Sequence, residues 1–303
     1  MKGSFVIVAV VLAAVALAFA TGVGPGPGLA DSGRYIIEAK DVPVLLRGDQ
    51  VVLVDMQAAE AYAAGHIEGA VNITLGEIVV NQPYPSLLAP AEQFAQVIGS
   101  RGIDNDTLII IYDDNNNMDA ARLWWSLRVY GHEQARVVSG GFAALQREGM
   151  ALSTTAPTPE AKTFRAGNAD ESLIAKITEV ELQVEIPQDN VILLDTRSRE
   201  EFVEGTIPGA VMVDFIENNF ADGTFRPVQQ ILIHYKERDI TADNEIIIFC
   251  AVSVRGAQTF LALFNAGYRN LKLYDGGMVE YAAIHSPATG GGGADQPPAS
   301  VPG

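Results

Sequence analysis

Cys250, the only cysteine of the chain, is the residue whose type and placement most directly suggest chemistry. It ends an apolar, β-branched run over residues 246–249 that predicts a buried strand, and a helix-forming stretch begins near Gly256. The thiol therefore precedes a helix N-terminus, where unpaired backbone N–H groups and the positive end of the helix dipole stabilise a thiolate. Arg255 adds a positive charge. We expect Cys250 to be a nucleophile held in a small anion site, with a buried structural thiol as the alternative.

The groups around this thiol suit a small anion. The chain carries a formal net charge of −17, from 20 Lys and Arg against 37 Asp and Glu. This charge argues against nucleic acid or anionic lipid as a partner, and it repels anions at long range. An anion site must therefore be built locally. Its amide donors are expected at Ala251, Val252, Ser253, Val254 and Gly256.

An internal repeat shows that the chain is two copies of one domain. Residues 52–55 and 65–71 match residues 192–195 and 205–211 at an offset of 140. Further on, residues 109–113 match 246–250 at an offset of 137, and a Gly-Gly pair at 140–141 matches another at 276–277.

Each copy has the pattern of an α/β domain. Short continuous apolar runs alternate with helical stretches, as in an open parallel sheet with helices on both faces. Helices are predicted over residues 119–130 and 256–266, each followed by a capping glycine. The predicted domains span residues 34–150 and 172–285, with a linker over 151–171 and a disordered tail over 286–303.

Several motifs in this order resemble the rhodanese family of sulfurtransferases. They are the two α/β repeats, Asp195-x-Arg197, the Gly-x-Ile-Pro-Gly-Ala turn at 205–210, Cys250-x4-Arg255, and the Gly-Gly at 276–277. The resemblance covers roughly residues 34–285 and is closest to the tandem thiosulfate and 3-mercaptopyruvate sulfurtransferases. It implies transfer of a sulfane sulfur through a persulfide on Cys250. It also implies that Arg197 anchors the donor's oxyanion or carboxylate, with a structural ion pair as the alternative.

The first repeat lacks the residues that this chemistry needs. Its loop is one residue longer, with Asp113 at the position of the thiol and Asp119 at that of Arg255. Gln57 replaces Arg197. Since a carboxylate cannot carry sulfur and repels an anionic donor, we expect the first domain to be inactive and to form one wall of the cleft.

The loop of the second repeat also departs from the family. Ser253 stands where the family usually has glycine, so a left-handed backbone there would strain the serine. Val252 stands where thiosulfate-specific relatives often carry lysine. The donor therefore stays open between thiosulfate and 3-mercaptopyruvate.

The expected mechanism is attack of the Cys250 thiolate on the outer sulfur of a small anionic donor, with charge stabilised by Arg255 and the loop amides. Because the chain has no second cysteine, the sulfur must pass to an external acceptor such as cyanide, a small thiol or a protein thiol. No cofactor is expected, and the four histidines show no metal-ligand spacing.

Two other functions remain open at this stage. One is a non-catalytic persulfide carrier or sulfide-binding module, which the altered loop would favour. The other is a cysteine phosphatase or arsenate reductase. Phosphatases of related fold use Cys-x5-Arg, whereas this chain has Gly256 at the position of that arginine, so this alternative is less favoured.

The N-terminus is typical of an export signal. An apolar run over residues 4–20 follows Lys2, and Ala18-Phe19-Ala20 is a small-x-small cleavage pattern before Thr21. We expect residues 1–20 to be a signal peptide, which would place the protein in the periplasm or outside the cell. An uncleaved membrane anchor over residues 4–20 is the alternative.

Overall fold

The computed structural model describes residues 34–285. The predicted signal peptide or anchor, residues 1–20, and the predicted disordered tail, residues 286–303, lie outside the described residues. Within residues 34–285, no helix is long and apolar enough to cross a membrane.

The first domain alternates strands and helices along the chain. Its strands are β1 (Ile36–Ile37), β2 (Val51–Asp55), β3 (His66–Ile67), β4 (Val71–Asn72), β5 (Val79–Val80), β6 (Leu87–Leu88), β7 (Leu108–Tyr112), β8 (Ala135–Val138) and β9 (Leu152–Ser153). Its helices are α1 (Val42–Leu45), α2 (Ala59–Ala64), α3 (Ala91–Ser100), α4 (Met118–Val129) and α5 (Gly141–Arg147), with 3-10 turns at Ala39–Asp41 and Leu75–Glu77.

Among the described residues, the second domain repeats this order without counterparts of β3, β5, β6 and β9. Its strands are β10 (Ile174–Ala175), β11 (Val191–Asp195), β12 (Val211–Met212), β13 (Glu245–Phe249) and β14 (Leu271–Tyr274). Its helices are α6 (Ile177–Glu185), α7 (Arg199–Glu204), α8 (Val228–Lys236), α9 (Val254–Asn265) and α10 (Gly277–His285), with 3-10 turns at Glu171–Leu173 and Phe215–Asn218.

Each domain is built on one five-stranded, all-parallel sheet. The strand orders are β1-β8-β7-β2-β4 and β10-β14-β13-β11-β12, which correspond strand for strand. The central pairs have equivalent registers, with Leu53 opposite Ile110 in the first sheet and Leu193 opposite Ile247 in the second. The predicted α/β fold with two equivalent parallel sheets is confirmed. In such sheets, ligands bind beyond the carboxyl ends of the strands.

Helices cover both faces of each sheet. One face of the first sheet packs in a cluster with Val42 and Leu145 from α1 and α5, and one face of the second packs with Val180 from α6. The other faces of both sheets share a single large apolar cluster. The continuous apolar strands follow from this burial on two sides.

Helices α4 and α9 bring the two domains together. The ring of Trp124 lies 5.6 Å from that of Phe264 and 6.4 Å from that of Phe260, measured between centroids. Trp124 and Trp125 are both buried in this region. The two domains therefore share the large apolar cluster between their sheets.

The connection over residues 151–171 packs against the first domain. Strand β9 pairs antiparallel with β3, and Phe164 is buried with its ring 6.3 Å from that of Phe94. Lys162 donates its backbone N–H to Gly99 at 2.9 Å. This segment is held by backbone and ring contacts before β10 begins.

Candidate active site

Cys250 follows the last residue of β13, at the carboxyl end of a central strand. It is 1% exposed. Its carbonyl oxygen accepts a hydrogen bond from the N–H of Met278 at 2.9 Å, which fixes the backbone under the thiol to the start of α10. The β-branched run before it positions the thiol at the edge of the sheet where ligands bind.

Helix α9 begins closer to the thiol than the sequence predicts. It starts at Val254, not at Gly256, because Ser253 adopts a left-handed conformation (φ 65°, ψ 3°) and turns the chain directly into the helix. Arg255 and Gly256 therefore lie in the first turn. Ala257 donates to the carbonyl of Ser253 at 3.1 Å, so the N–H groups before it belong to the turn whose donors have no helical acceptor. Helix α4 likewise covers Met118–Val129, where residues 119–130 were predicted.

The equivalent loop of the first domain shows what such a turn binds. The carboxylate of Asp113 accepts hydrogen bonds from the backbone N–H groups of Asn115 at 3.0 Å, Asn117 at 2.9 Å and Ala120 at 2.9 Å. Burial raises the pKa of Asp113 to about 6, and the three backbone hydrogen bonds oppose this rise. By the offset of 136, Asn117 and Ala120 correspond to Ser253 and Gly256. This loop geometry thus directs backbone N–H groups at acceptor oxygens in the position of the thiol.

Ser253 compensates for its left-handed backbone with its side chain. Its Oγ lies 2.7 Å from the carbonyl oxygens of both Tyr274 and Asp275, at the end of β14. The residue is fully buried. The strain expected from a serine at this position is therefore present. The hydroxyl ties the loop over residues 250–256, called the active loop below, to the end of β14.

Gly277 lets the chain pass close beneath the loop. It has a φ of 57°, and a Cβ there would lie 2.6 Å from the carbonyl oxygen of Ala251 and 2.7 Å from that of Cys250. The corresponding Gly141 approaches Asp113 in the same way. This approach explains the second glycine of each Gly-Gly pair of the repeat.

Arg255 binds a carboxylate that the sequence did not reveal. Its Nη1 and Nη2 donate to Oε2 and Oε1 of Glu201 at 2.5 and 2.8 Å. This pairing lowers the pKa of Glu201 to about 2. The hydrogen bonds to Glu201, together with a hydrogen bond and charge interaction with Cys250, raise the pKa of Arg255 above its usual value. The guanidinium therefore adjoins both the thiol and an ionised glutamate.

Arg197 lies against Asp195. Its Nε donates to Oδ1 at 3.0 Å, and its Nη2 donates to Oδ2 and to the carbonyl of Gly205, both at 2.7 Å. Thr206 Oγ1 donates to the same carboxylate at 2.7 Å. These contacts are the structural ion pair that was the alternative for this residue, and its role in binding a donor stays a prediction.

The comparisons with known proteins agree with this geometry. A model of the rhodanese-like domain matches residues 38–148 and again residues 178–284. The chain belongs to the rhodanese family. It is 30% identical over 241 residues to a 3-mercaptopyruvate sulfurtransferase of Escherichia coli, covering 76% of this chain and 84% of that protein. It is 29% identical over 257 residues to a protein of Mycolicibacterium smegmatis named a putative thiosulfate sulfurtransferase, covering 79% and 91%. The crystal structure of SseA from Escherichia coli, a 3-mercaptopyruvate sulfotransferase, superposes with a TM-score of 0.73, 27% identity, and coverage of 80% and 98%.

As a tandem rhodanese, the chain brings most of the predicted site residues together. Cys250 lies before the turn formed by Ala251, Val252, Ser253, Val254, Arg255 and Gly256, whereas Arg197 lies on the neighbouring strand end with Asp195. Glu201 was missed. The signal that the sequence offers is the capping-box spacing Ser198-x-x-Glu201, and the structure shows this box at the start of α7. That spacing predicts a helix start, but not a bond to an arginine 54 residues away.

Among the described residues, no group of three or more His, Cys, Asp or Glu side chains could hold a metal ion. His66 makes a local backbone contact, with its Nδ1 2.8 Å from the carbonyl oxygen of Tyr62.

Proposed function

We propose that this rhodanese is a sulfurtransferase that moves a sulfane sulfur from thiosulfate or 3-mercaptopyruvate to a thiophilic acceptor through a persulfide on Cys250. One observation carries the proposal: Cys250 occupies the position at which the carboxyl group of Asp113 in the first domain accepts three backbone N–H hydrogen bonds. A thiolate and a persulfide are anions, and backbone amides in the same position stabilise both. The sulfurtransferase names of the relatives support the same reaction.

The first step forms the sulfur–sulfur bond of the persulfide. With thiosulfate, the thiolate attacks the outer sulfur, the bond between the two donor sulfurs breaks, and sulfite leaves with the bonding pair. With 3-mercaptopyruvate, the carbon–sulfur bond breaks, its electron pair goes to carbon, and the thiol proton completes the methyl group of pyruvate. The buried position of Cys250 favours a terminal sulfur as the reacting atom, since a bulkier electrophile would meet the loop first.

The second step returns the enzyme to its free form. Cyanide attacks the outer persulfide sulfur, thiocyanate leaves, and the electron pair of the sulfur–sulfur bond restores the Cys250 thiolate. A small thiol or a protein thiol takes the sulfur in the same way. Arg255 lies beside the sulfur of Cys250. Its guanidinium therefore stabilises the thiolate with which the cycle begins and to which it returns.

Intact mass spectrometry of the full chain tests this function. Incubation with thiosulfate, and separately with 3-mercaptopyruvate, should add roughly 32 Da, the mass of one sulfur, to the wild type and nothing to Cys250→Ser. Cyanide should remove the added mass and release thiocyanate. A stable adduct without turnover would support the persulfide carrier instead. No adduct from either donor on reduced Cys250 would refute the sulfurtransferase.

We also propose that the protein is exported, with residues 1–20 removed. The support is the apolar run and the Ala-Phe-Ala pattern before Thr21. N-terminal sequencing of the protein from its native cells should begin at Thr21. A chain that keeps residues 4–20 and sediments with membranes would instead support the anchor.

A further inference from the structure

The positive charge nearest the active thiol is already bound to a carboxylate. Both terminal nitrogens of Arg255 donate to the two carboxylate oxygens of Glu201, in a bidentate pair. Their side chains are 23% and 33% exposed, so the pair is partly shielded from solvent. Bidentate pairs of this kind are among the stronger charge-assisted contacts in proteins. A donor anion must therefore compete with Glu201 for the guanidinium.

Glu201 is held in this position by its own helix. It is the third residue of α7, where its N–H donates to Ser198 Oγ at 3.3 Å and its Oε2 accepts from the N–H of Ser198 at 3.1 Å. This reciprocal capping box fixes the glutamate before any substrate arrives. The carboxylate is therefore a built part of the site and not a mobile surface acid.

The second arginine of the site is also paired. Arg197 donates hydrogen bonds from Nε and Nη2 to the carboxylate of Asp195. A cavity of about 460 Å³ beside the two pairs is lined by Arg197, Glu201 and Glu204, together with Tyr281 and His285. His285 in turn lies 3.2 Å from Glu181.

Asp214 lies within electrostatic range of both Arg255 and Glu201. The surroundings of the two arginines thus contain more carboxylates, namely Asp195, Glu201, Glu204 and Asp214, than guanidinium groups.

We propose that Glu201 is a specificity-determining residue that disfavours sulfur donors with two negative charges relative to donors with one. The proposal rests on the proposed sulfurtransferase function and deepens it. A monoanion is stabilised by the loop amides. The second charge of a dianion meets the Glu201 carboxylate, to which Arg255 already donates hydrogen bonds from both of its terminal nitrogens. The donor class that this site accepts best is a monoanion with a terminal sulfur, such as a thiosulfonate or the carboxylate of 3-mercaptopyruvate.

Two donors that differ by one charge test the proposal. Thiosulfate is a dianion, and methanethiosulfonate keeps the sulfonyl-bound terminal sulfur but has a methyl group in place of one anionic oxygen. In both reactions the sulfur–sulfur bond of the donor breaks, and sulfite or methanesulfinate leaves. The measured quantity is the ratio of kcat/KM for thiosulfate to kcat/KM for methanethiosulfonate, with cyanide as acceptor.

In the full chain, Glu201→Gln should raise this ratio by about tenfold at low ionic strength, because one like charge near the donor is removed. Glu200→Gln is the matched control, because it removes the same charge from the same helix at a fully exposed position without a bond to Arg255. This variant should leave the ratio near that of the wild type. Glu201→Ala is the second variant, and its ratio should shift in the same direction. Added salt should narrow the difference between wild type and Glu201→Gln.

An unchanged ratio in Glu201→Gln, or an equal fall in kcat/KM for both donors, would overturn the proposal and leave Glu201 as a brace for Arg255. An equal rise of the ratio in Glu200→Gln would overturn it as well, since the effect would then come from net charge. If neither donor adds a sulfur mass to Cys250 in the wild type, the sulfurtransferase function itself fails, which the mass measurement distinguishes from a failure of the specificity role.

Discussion

Arg122 and Asp275 form an ion pair across the domain boundary, with Nη1 and Oδ1 2.7 Å apart. The Arg122 side chain is fully buried, and that of Asp275 is 13% exposed. The guanidinium also stacks over the ring of Trp125 at 4.7 Å. Asp275 Oδ2 accepts from the backbone N–H of Leu88 at 2.7 Å, and its carbonyl accepts from Ser253 Oγ. The first domain therefore holds the turn to which the Cys250 loop is tied.

Removing the arginine should destabilise the protein strongly. Arg122→Met leaves the Asp275 carboxylate buried without its counter-ion, a change that costs about 3–5 kcal/mol. Denaturant unfolding measures this loss, and Arg122→Met combined with Asp275→Asn should recover part of it. Because the carbonyl oxygen of Asp275 accepts a hydrogen bond from Ser253 Oγ, Arg122→Met alone should also lower kcat with either donor.

The chain provides a matched control for this prediction. Arg147 and Asp222 form a second arginine–aspartate pair between the domains, at 3.3 Å, with side chains 50% and 53% exposed. Arg147→Met should lower the free energy of unfolding by only a small fraction of the loss in Arg122→Met, because solvent screens an exposed pair. Equal losses in the two variants would show that burial does not determine the contribution of these pairs.

Ser253 stabilises the fold through its hydroxyl and destabilises it through its left-handed backbone, and two substitutions separate these contributions. Ser253→Ala removes the hydroxyl and keeps a side chain at φ 65°, so it should lower the free energy of unfolding by about 1–2 kcal/mol. Ser253→Gly loses the same hydroxyl but relieves the left-handed strain, worth about 1 kcal/mol or more. The glycine variant should therefore be the more stable of the two in denaturant unfolding. A glycine variant less stable than the alanine variant would contradict the strain.

The sequence predicted those features of the site that depend on local pattern and on the repeat. Cys250 could be placed at a strand end because a continuous β-branched run precedes it, and the offset of 136 identified Gly276 and Gly277 from their first-domain partners. The bonds of Glu201 and Arg122 could not be read in this way. Their partners lie 54 and 153 residues away and are chosen by the packing of α7 and α4.

The start of α9 was also misplaced, for a local physical reason. The chain enters the helix through one left-handed residue, and a serine gives no sequence signal for that conformation as a glycine would. The helix therefore begins at Val254, two residues before the position at which helix-forming residues become evident.

Gly277 should tolerate no side chain, because the backbone of the active loop lies directly above it. In Gly277→Ala, the new Cβ would lie 2.6 Å from the Ala251 oxygen, at a φ of 57°, so the loop must shift. We expect kcat/KM to fall by at least tenfold, since misplacement by about 1 Å can cost 10²-fold in rate. Gly209→Ala is the control: its φ is 81° but nothing lies within 4 Å of its Cβ. The control should lose about 1 kcal/mol of stability and keep its activity. Similar activities in the two variants would show that the close approach does not position the loop.

Asp55 should make the first domain less stable as the pH rises toward neutrality. Burial raises its pKa to about 6, with Gln57 in place of the arginine that binds Asp195. A carboxyl whose pKa is higher in the folded than in the unfolded state stabilises the fold below about pH 4 and loses this contribution as the pH rises through 6. The loss is about 2–3 kcal/mol, at about 1.4 kcal/mol per pKa unit. Asp55→Asn should remove this part of the pH dependence of unfolding between pH 4 and pH 7.

The variant Glu201→Gln provides a comparison of opposite sign. Because the Arg255 pair lowers the pKa of Glu201 to about 2, its contribution is present above the ordinary pKa of a glutamate and is lost as the pH falls toward 2. The stability difference between wild type and Glu201→Gln should therefore disappear in acid, whereas that between wild type and Asp55→Asn should shift in favour of the wild type. Parallel pH profiles for the two differences would contradict the assignment of Asp55 as a buried carboxyl with a raised pKa.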